Sequence, residues 1–233
     1  NSEHVEHWYL LSALDVETEQ AAAAIVVLGD SITDGHGSTT DRNDRWPDDL
    51  AHRLAGHKGT ANIAVLNQGI GGNRLLRDGL GPNALARFDR DVLAPPGARW
   101  LIVLEGVNDL GTAVGARARG WPAATAADEI AALHQIVARA HSHGLRVFGG
   151  TIMPFEGFTM YSTPESEADR QAVNRWIRTS GEFDAVIDFD QIMRDPRHPA
   201  RLAAAVDSGD HLHPSAAGYH LMAGRIDLEL FGR

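Results

Sequence analysis

The stretch that decides the fold is residues 25–35, which read Ile-Val-Val-Leu-Gly-Asp-Ser-Ile-Thr-Asp-Gly. Its first four residues are β-branched or aliphatic, as is typical of a buried strand. The run stops at a Gly-Asp-Ser turn, so Ser31 lies where the strand reaches the surface. A serine after a strand most often caps the helix that follows. It can also be a nucleophile, if a base and an acid that orients the base lie nearby.

Short apolar runs alternate with amphipathic segments along the rest of the chain. We expect strands near Ala24–Leu28, Asn62–Leu66, Trp100–Leu104, Leu145–Gly149 and Ala185–Phe189. We expect helices near Trp46–Ala55, Ala84–Leu93, Ala126–His143, Glu165–Thr179 and Ala216–Leu230. Alternation of this kind predicts an α/β fold, with one parallel sheet that has helices on both faces.

Composition limits the function classes. The chain has 233 residues, a net charge of -10 and a pI of about 5.6, so nucleic acid and anionic membranes are unfavourable partners. It contains no cysteine, which excludes a thiol nucleophile, a disulfide framework and a thiolate zinc site. No apolar run approaches the ~20 residues that a membrane-spanning helix needs, so we expect no membrane insertion.

The chain shows no internal repeat and no low-complexity linker, which favours a single domain. We expect that domain to span residues 21–233. Residues 1–20 form an N-terminal extension, which we expect to pack on the domain or to lead from an upstream region. The segment between His4 and Leu11 is too apolar for a free tail.

Conspicuous polar blocks follow the predicted strands. Ser31 follows the first strand, residues 67–73 follow the second, and residues 106–109 follow the third, while residues 210–214 precede the last helix. Ligands of open α/β sheets bind beyond the carboxyl ends of the strands, so these blocks are expected to meet there.

Each block also has an ordinary explanation. Residues 67–73, Asn-Gln-Gly-Ile-Gly-Gly-Asn, could be a glycine-rich turn, or could present a backbone amide to an oxyanion. In residues 106–109, Gly-Val-Asn-Asp, the asparagine is a common turn former, but its amide can also donate to an oxyanion.

The block Asp210-His211-Leu212-His213-Pro214 offers an imidazole with a carboxylate three residues before it. Pro214 restricts the backbone of His213, which favours His213 as the base, and leaves His211 as a neighbour or an exposed side chain. A competing hypothesis is a metal site built from His211 and His213, with Asp34 and His36 recruited to it.

Taken in order, the four blocks resemble the SGNH hydrolases, also called the GDSL esterase/lipase family. Ser31, Gly72, Asn108 and His213 match the four residues of the family name, and Asp210 matches its acid. The segments 8–16, 45–47 and 104–106 are similar to a bacterial branch of that family, whose members often carry an extra N-terminal β-rich region. Ile32 replaces the leucine of the eponymous motif.

The resemblance implies a three-layer α/β/α, flavodoxin-like domain with a five-stranded parallel sheet. It implies Ser31, Asp210 and His213 as catalytic residues, and an oxyanion hole formed by Ser31, Gly72 and Asn108. No metal or other cofactor is expected. As candidates for the substrate pocket we take the side chains near these residues, namely Asp30, Asp34, Asn73, Glu105 and Phe155.

The expected reaction is ester hydrolysis through an acyl-enzyme. A small-molecule or carbohydrate ester is the expected partner, and short acyl groups are favoured, with acetyl on a sugar as an example. The alternatives are a lipase or lysophospholipase for longer acyl chains, and a non-catalytic carbohydrate-binding member of the fold. The resemblance suggests an extracytoplasmic location and leaves the oligomeric state open.

Overall fold

The computed structural model describes residues 13–232. Five strands form one parallel sheet in the order β2-β1-β3-β4-β5. They are β1 (Ala23–Gly29), β2 (Ile63–Gly69), β3 (Ala98–Leu104), β4 (Arg146–Gly150) and β5 (Ala185–Ile187). This is the flavodoxin-like strand order, so the predicted fold class is confirmed.

Within the described residues, eight α-helices surround the sheet. They are α1 (Ser31–Asp34), α2 (Trp46–Gly56), α3 (Ala84–Phe88), α4 (Val107–Ala118), α5 (Ala126–Ser142), α6 (Pro164–Thr179), α7 (Phe189–Met193) and α8 (Ala216–Gly224). Helix α3 continues as a π-helical turn, Asp89–Leu93. Helices α2, α7 and α8 pack together, while α5 packs on α3, β4 and α6, and α4 packs on α6. These contacts produce the three layers.

The core lies between these layers. All seven residues of β1 are buried, as the apolar run predicts for an interior strand of a parallel sheet. Strand β2 lies at the edge of the sheet and is mostly half-buried. Among residues 13–232, no helix has the length and apolarity to cross a membrane.

Most predicted elements end within a few residues of the observed ones, but the last helix was predicted too long. It ends at Gly224, and a separate 3₁₀ turn follows at Leu228–Phe231. The guanidinium of Arg53 donates to the carbonyl oxygens of Ala223 and Ile226, 2.8 Å away in the second case. A side-chain donor therefore satisfies these carbonyl oxygens in place of the amides of a further helical turn, and the helix can end here.

Among the described residues, four elements were not predicted. Three are the helices α1, α4 and α7. The fourth is a short antiparallel hairpin of β6 (Arg194–Asp195) and β7 (His198–Leu202), which lies outside the main sheet.

The domain prediction stays a prediction. Residues 13–22 are exposed, although the side chain of Gln20 accepts a hydrogen bond from Asn62 at 2.8 Å. The apolar segment before Ala13 falls outside the described residues.

Candidate active site

The first three polar blocks follow neighbouring strands of the sheet. Strand β1 pairs with β2 on one side and with β3 on the other, so the two strands that follow β1 in the chain lie on opposite sides of it. The strand order reverses here, and ligands of this fold bind at such a point. Ser31, Gly72 and Asn108 follow β1, β2 and β3, respectively, so all three lie at the same edge of the sheet.

Ser31 is the first residue of α1. The carboxylate of Asp30 caps this helix and accepts a hydrogen bond from the Ile32 amide at 2.9 Å. Asp30 therefore has the capping role, and the Ser31 hydroxyl is left to interact elsewhere. That hydroxyl lies 2.8 Å from Nε2 of His213.

His213 is fixed on its other side by Asp210. The carboxylate of Asp210 lies 2.6 Å from the ring Nδ1 of His213, and its other oxygen accepts the backbone amides of Leu212 and His213 at 2.9 and 2.8 Å. A hydroxyl, an imidazole and a carboxylate in this order have the geometry of a serine–histidine–aspartate triad.

The electrostatics fit that geometry. Burial lowers the pKa of His213 below its usual value, against the effect of Asp210, so the ring is neutral near pH 7 and can accept a proton. Burial opposes the ionisation of Asp210, but hydrogen bonds from the backbone and the side chain of His213 hold its pKa at about 2. Asp210 is therefore a carboxylate throughout the neutral range.

The predicted oxyanion donors Ser31, Gly72 and Asn108 follow the three neighbouring strands β1, β2 and β3. Gly72 has a φ of 71°, which favours glycine, and a Cβ added there would lie 2.7 Å from Leu80. Within residues 13–232, the amides of Gly72 and Ser31 donate to no other group. Both are available to a developing oxyanion.

The Asn108 side chain is held from two sides. Its Nδ2 donates to the carbonyl oxygen of Asn73 at 2.9 Å, and its Oδ1 accepts from the hydroxyl of Tyr161 at 2.9 Å. The second hydrogen of Nδ2 is left for an oxyanion. The sequence offered no signal for the role of Tyr161, because the residue lies 53 positions away on a loop.

Four of the five side chains expected to line the pocket lie beneath the site instead. Asp30, Asn73, Glu105 and Phe155 are each 1–2% exposed. A substrate cannot reach such side chains, so these residues support the site and do not line it. Asp34 is exposed and remains a candidate for contact with substrate.

A buried arginine organises this support. The Arg87 guanidinium is fully buried and donates to the side chain of Asn73 at 2.9 Å, and to the carbonyl oxygens of Gln68 and Gly29 at 2.7 and 3.1 Å. It thus joins the ends of β1 and β2. The signal in the sequence was a charged residue on the apolar face of a helix, next to Phe88.

The residues of the metal hypothesis do not all lie together. His211 turns to Asp207, with its Nδ1 2.7 Å from the carboxylate. His36 lies against His213, with 4.1 Å between ring centres. In the described part of the chain, His36, Asp210 and His213 bring ligand atoms within 4.8 Å of one another, so any such ion would occupy the triad itself.

Comparison with known proteins agrees with the fold and shows the family. Residues 27–221 match the model of the GDSL-like lipase/acylhydrolase family. The chain belongs to this family. It is a carboxylic ester hydrolase of the SGNH/GDSL type, and its four blocks all lie within the matched region. A search of curated proteins found no match.

Several solved structures share the fold. A catalytic mutant of an acetylxylan esterase from Geobacillus stearothermophilus has a TM-score of 0.66 at 19% identity, over 91% of this chain and 97% of that one. The aryl esterase of M. smegmatis has a TM-score of 0.65 at 17% identity, over 87% and 95%. A member of the lipolytic G-D-S-L family from Veillonella parvula has a TM-score of 0.60 at 20% identity, over 88% and 96%. All three come from bacteria, in keeping with the predicted bacterial branch.

Proposed function

We propose that this enzyme hydrolyses short-chain carboxylic esters, with acetyl esters of carbohydrates as the substrate class, through an acyl-enzyme on Ser31. The observation that carries the proposal is the 2.8 Å contact between the Ser31 hydroxyl and Nε2 of His213, with Asp210 at 2.6 Å behind the ring. Membership of the family supports ester hydrolysis, and this contact supports Ser31 as the nucleophile.

The first half of the reaction forms the acyl-enzyme. Oγ of Ser31 attacks the ester carbonyl while Nε2 of His213 takes the hydroxyl proton, and Asp210 stabilises the imidazolium that forms. The negative charge on the carbonyl oxygen is met by the amides of Ser31 and Gly72 and by Nδ2 of Asn108. The intermediate then collapses, and His213 returns its proton to the leaving alcohol.

The second half removes the acyl group. Water attacks the acyl-serine while His213 takes one of its protons, and the same three donors stabilise the second tetrahedral intermediate. Collapse releases the acid and returns the proton to Ser31. The protein groups in this cycle are those of Ser31, His213, Asp210, Gly72 and Asn108, and water is the second substrate.

The preference for short acyl groups rests on the surroundings of Ser31. Asp34, the last residue of α1, and His36, two residues after it, are polar and exposed. Leu80, beside Gly72, is an apolar side chain that is 78% exposed. One leucine beside polar groups suits an acetyl or butyryl group better than a long chain. The acetylxylan esterase named above is in keeping with an acetylated carbohydrate.

The test is hydrolysis of p-nitrophenyl esters from acetate to palmitate by the wild type, by Ser31→Ala and by Ser142→Ala, an exposed serine remote from the site. We expect kcat/KM to peak at acetate or butyrate, to fall by about a thousandfold or more in Ser31→Ala, and to stay unchanged in Ser142→Ala. A peak at long chains would make the enzyme a lipase or lysophospholipase.

Two other outcomes would overturn the mechanism. Activity that survives in Ser31→Ala and disappears after exhaustive chelation would favour the metal hypothesis. A wild type that hydrolyses no ester but binds oligosaccharides would be the non-catalytic member of the fold.

A further inference from the structure

A cleft of about 260 Å³ opens beside Asn108, and we call it the arginine cleft. One wall is a face of α4, where Asp109, Thr112, Ala113 and Ala116 lie on successive turns. At 1.5 Å per residue, this wall extends for about 10 Å away from Asn108. The cleft therefore begins at Asp109, the residue that follows the predicted oxyanion donor Asn108.

The opposite wall begins at the same place. It includes Arg74 and Arg77, which follow Asn73, and the carbonyl oxygen of Asn73 accepts the hydrogen bond from Asn108. The far end is closed by Arg119 and Trp121. The near end of the cleft, at Asp109 and Arg74, is therefore the end that lies next in the chain to Asn108 and Asn73.

The three arginines of the cleft have no acidic partner. Within residues 13–232, none of Arg74, Arg77 and Arg119 forms an ion pair, whereas Arg117 of the same helix pairs with Asp169 at 2.7 Å. Their hydrogen bonds go to backbone oxygens: Arg77 donates to Pro122 and Arg119 to Gly115, both at 3.1 Å, and Arg74 donates to Asp78. Most of their guanidinium donors are left for a ligand.

The carboxylate in the lining, Asp109, interacts electrostatically with Arg74, but it forms no ion pair with Arg77 or Arg119 among the described residues. It is 2% exposed, and its oxygens accept the amides of Leu75 and Leu76 at 2.7 and 3.1 Å. A cluster of three cations is unusual in a chain with a net charge of -10. Such a cluster attracts and orients an anion, and guanidinium is suited to carboxylate.

The rest of the lining favours a sugar over a lipid. Trp121 is 62% exposed, and the Arg119 guanidinium lies 5.3 Å from its ring centre. The C–H face of a sugar ring packs well on an exposed indole. The remaining lining is alanine, threonine and proline, without the long aliphatic side chains that would hold a fatty chain.

We propose that the arginine cleft binds a uronate unit of an acidic oligosaccharide, next to the sugar that carries the ester. The uronate carboxylate pairs with Arg77 and Arg119, and the sugar ring packs on Trp121. This inference rests on the proposed function for its link to catalysis, but binding can be measured without catalysis.

The first experiment is calorimetry with trigalacturonate and the Ser31→Ala protein, which holds the cleft but cannot turn over an ester. We expect saturable binding. When Arg77→Gln and Arg119→Gln are added to the Ser31→Ala protein, the affinity should fall about tenfold or more, because hydrogen bonds between charged groups are strong. The matched control is Arg225→Gln, an exposed arginine at the far end of α8, which should bind as before. Binding should weaken as salt rises from 0.05 to ~0.5 M.

The second experiment compares two trisaccharides that carry one acetyl group at the same position. One is trigalacturonate, and the other has its carboxylates reduced to alcohols. We expect the wild type to favour the acidic form by about tenfold in kcat/KM, and the ratio to approach one in the double variant.

The outcomes separate the two hypotheses. Ester hydrolysis without binding of trigalacturonate, or a ratio that the arginines do not change, would overturn the arginine cleft and leave the proposed function. Binding that depends on the arginines, without hydrolysis of any ester, would support the cleft and overturn the proposed function. If the wild type hydrolyses lysophosphatidylglycerol micelles in preference to both trisaccharides, and this hydrolysis depends on the arginines, the cleft binds a lipid phosphate. That result would overturn the proposal of a uronate site.

Discussion

At the scale of single residues, the orientation of the Asn108 amide determines which of its atoms faces the proposed oxyanion hole. An asparagine side chain presents either its oxygen or its NH₂ group, and its hydrogen-bond partners determine which. The Tyr161 hydroxyl donates to Oδ1 of Asn108, and the Asn73 carbonyl accepts from Nδ2. Tyr161 is thus a positioning residue that acts through Asn108.

Replacing Tyr161 with phenylalanine removes only that hydroxyl. We expect kcat to fall about tenfold with little change in KM, because the bond orients a donor that acts in the transition state. The check is a double-mutant cycle with p-nitrophenyl acetate. In an Asn108→Ala background, which itself costs about 10²–10³ in turnover, Tyr161→Phe should have no further effect. A full additional tenfold loss there would mean that Tyr161 acts in another way.

His36 affects the base directly. Its ring centre lies 4.1 Å from that of His213, and burial, with the charge of His36 adding to it, lowers the pKa of His213. His213 accepts a proton only when neutral, so the acid limb of kcat/KM should lie below the usual histidine value near 6.5.

The variant His36→Gln removes the neighbouring charge. We expect it to raise the pKa of His213 and to move the acid limb of the kcat/KM profile towards higher pH. The control, His52→Gln, changes an exposed histidine on α2 and should leave the limb in place. A limb that moves towards lower pH would refute this coupling.

At the scale of elements, the sequence predicted the strands well because a buried parallel strand is a continuous apolar run. Helix α4 escaped prediction for a physical reason. It contains Gly111 and Gly115, each of which costs about 1 kcal/mol in a helix, and it begins with the Asn-Asp pair of a typical turn. Tertiary packing outweighs these costs: a Cβ on Gly111 would lie 2.1 Å from the Tyr161 ring.

Helices α6 and α7 are joined by a buried ion pair that the sequence did not predict. The fully buried guanidinium of Arg170 donates to Asp190 at 2.7 Å, and Asp190 also accepts from Arg178 at 2.5 Å. The partners are 20 positions apart, so no helical spacing links them.

Removing one partner should be costly. We expect Asp190→Ala to lower the free energy of unfolding by about 3 kcal/mol, because the buried Arg170 is left with the partly exposed Glu167 as its acidic partner. Urea denaturation measures this. The comparison is Asp195→Ala, which breaks a pair 4.0 Å long with a largely exposed Arg197 and should cost less than about 1 kcal/mol. Equal losses would show that burial does not determine the strength of these pairs.

At the scale of the whole molecule, the candidate site could be predicted because its four blocks are local in sequence and the fold brings strand ends together. The acids beneath it could not, because their burial depends on distant elements. Burial raises the pKa of Asp30 to about 7 and that of Asp109 to about 6. It also raises the pKa values of Glu105 and Glu129 well above their usual value.

These acids make stability depend on pH. Between about pH 4 and 7 the folded protein binds more protons than the unfolded chain, so the free energy of unfolding should fall as pH rises through this range. Carboxyls with a lowered pKa, such as Asp210 with a pKa of about 2, oppose this fall only below about pH 5. His213 opposes the trend near pH 6, but four acids outnumber it.

The variant Asp30→Asn tests this trend, because asparagine can still cap α1 but does not titrate. We expect a smaller fall in the free energy of unfolding between pH 4 and 7, measured by urea denaturation at each pH. Asp41→Asn, at an exposed position, should leave the fall as it is in the wild type. A steeper fall in Asp30→Asn would contradict the assignment of a raised pKa to Asp30.

The central claim is that Ser31 is the nucleophile, and covalent labelling tests it most directly. The wild type is treated with a fluorophosphonate, and the adduct is located by mass spectrometry of its peptides. The account predicts one adduct per chain, on Ser31, with esterase activity lost in proportion to labelling, and no adduct in His213→Ala at the same exposure. Labelling on another residue, or full activity in a protein labelled on Ser31, would contradict it.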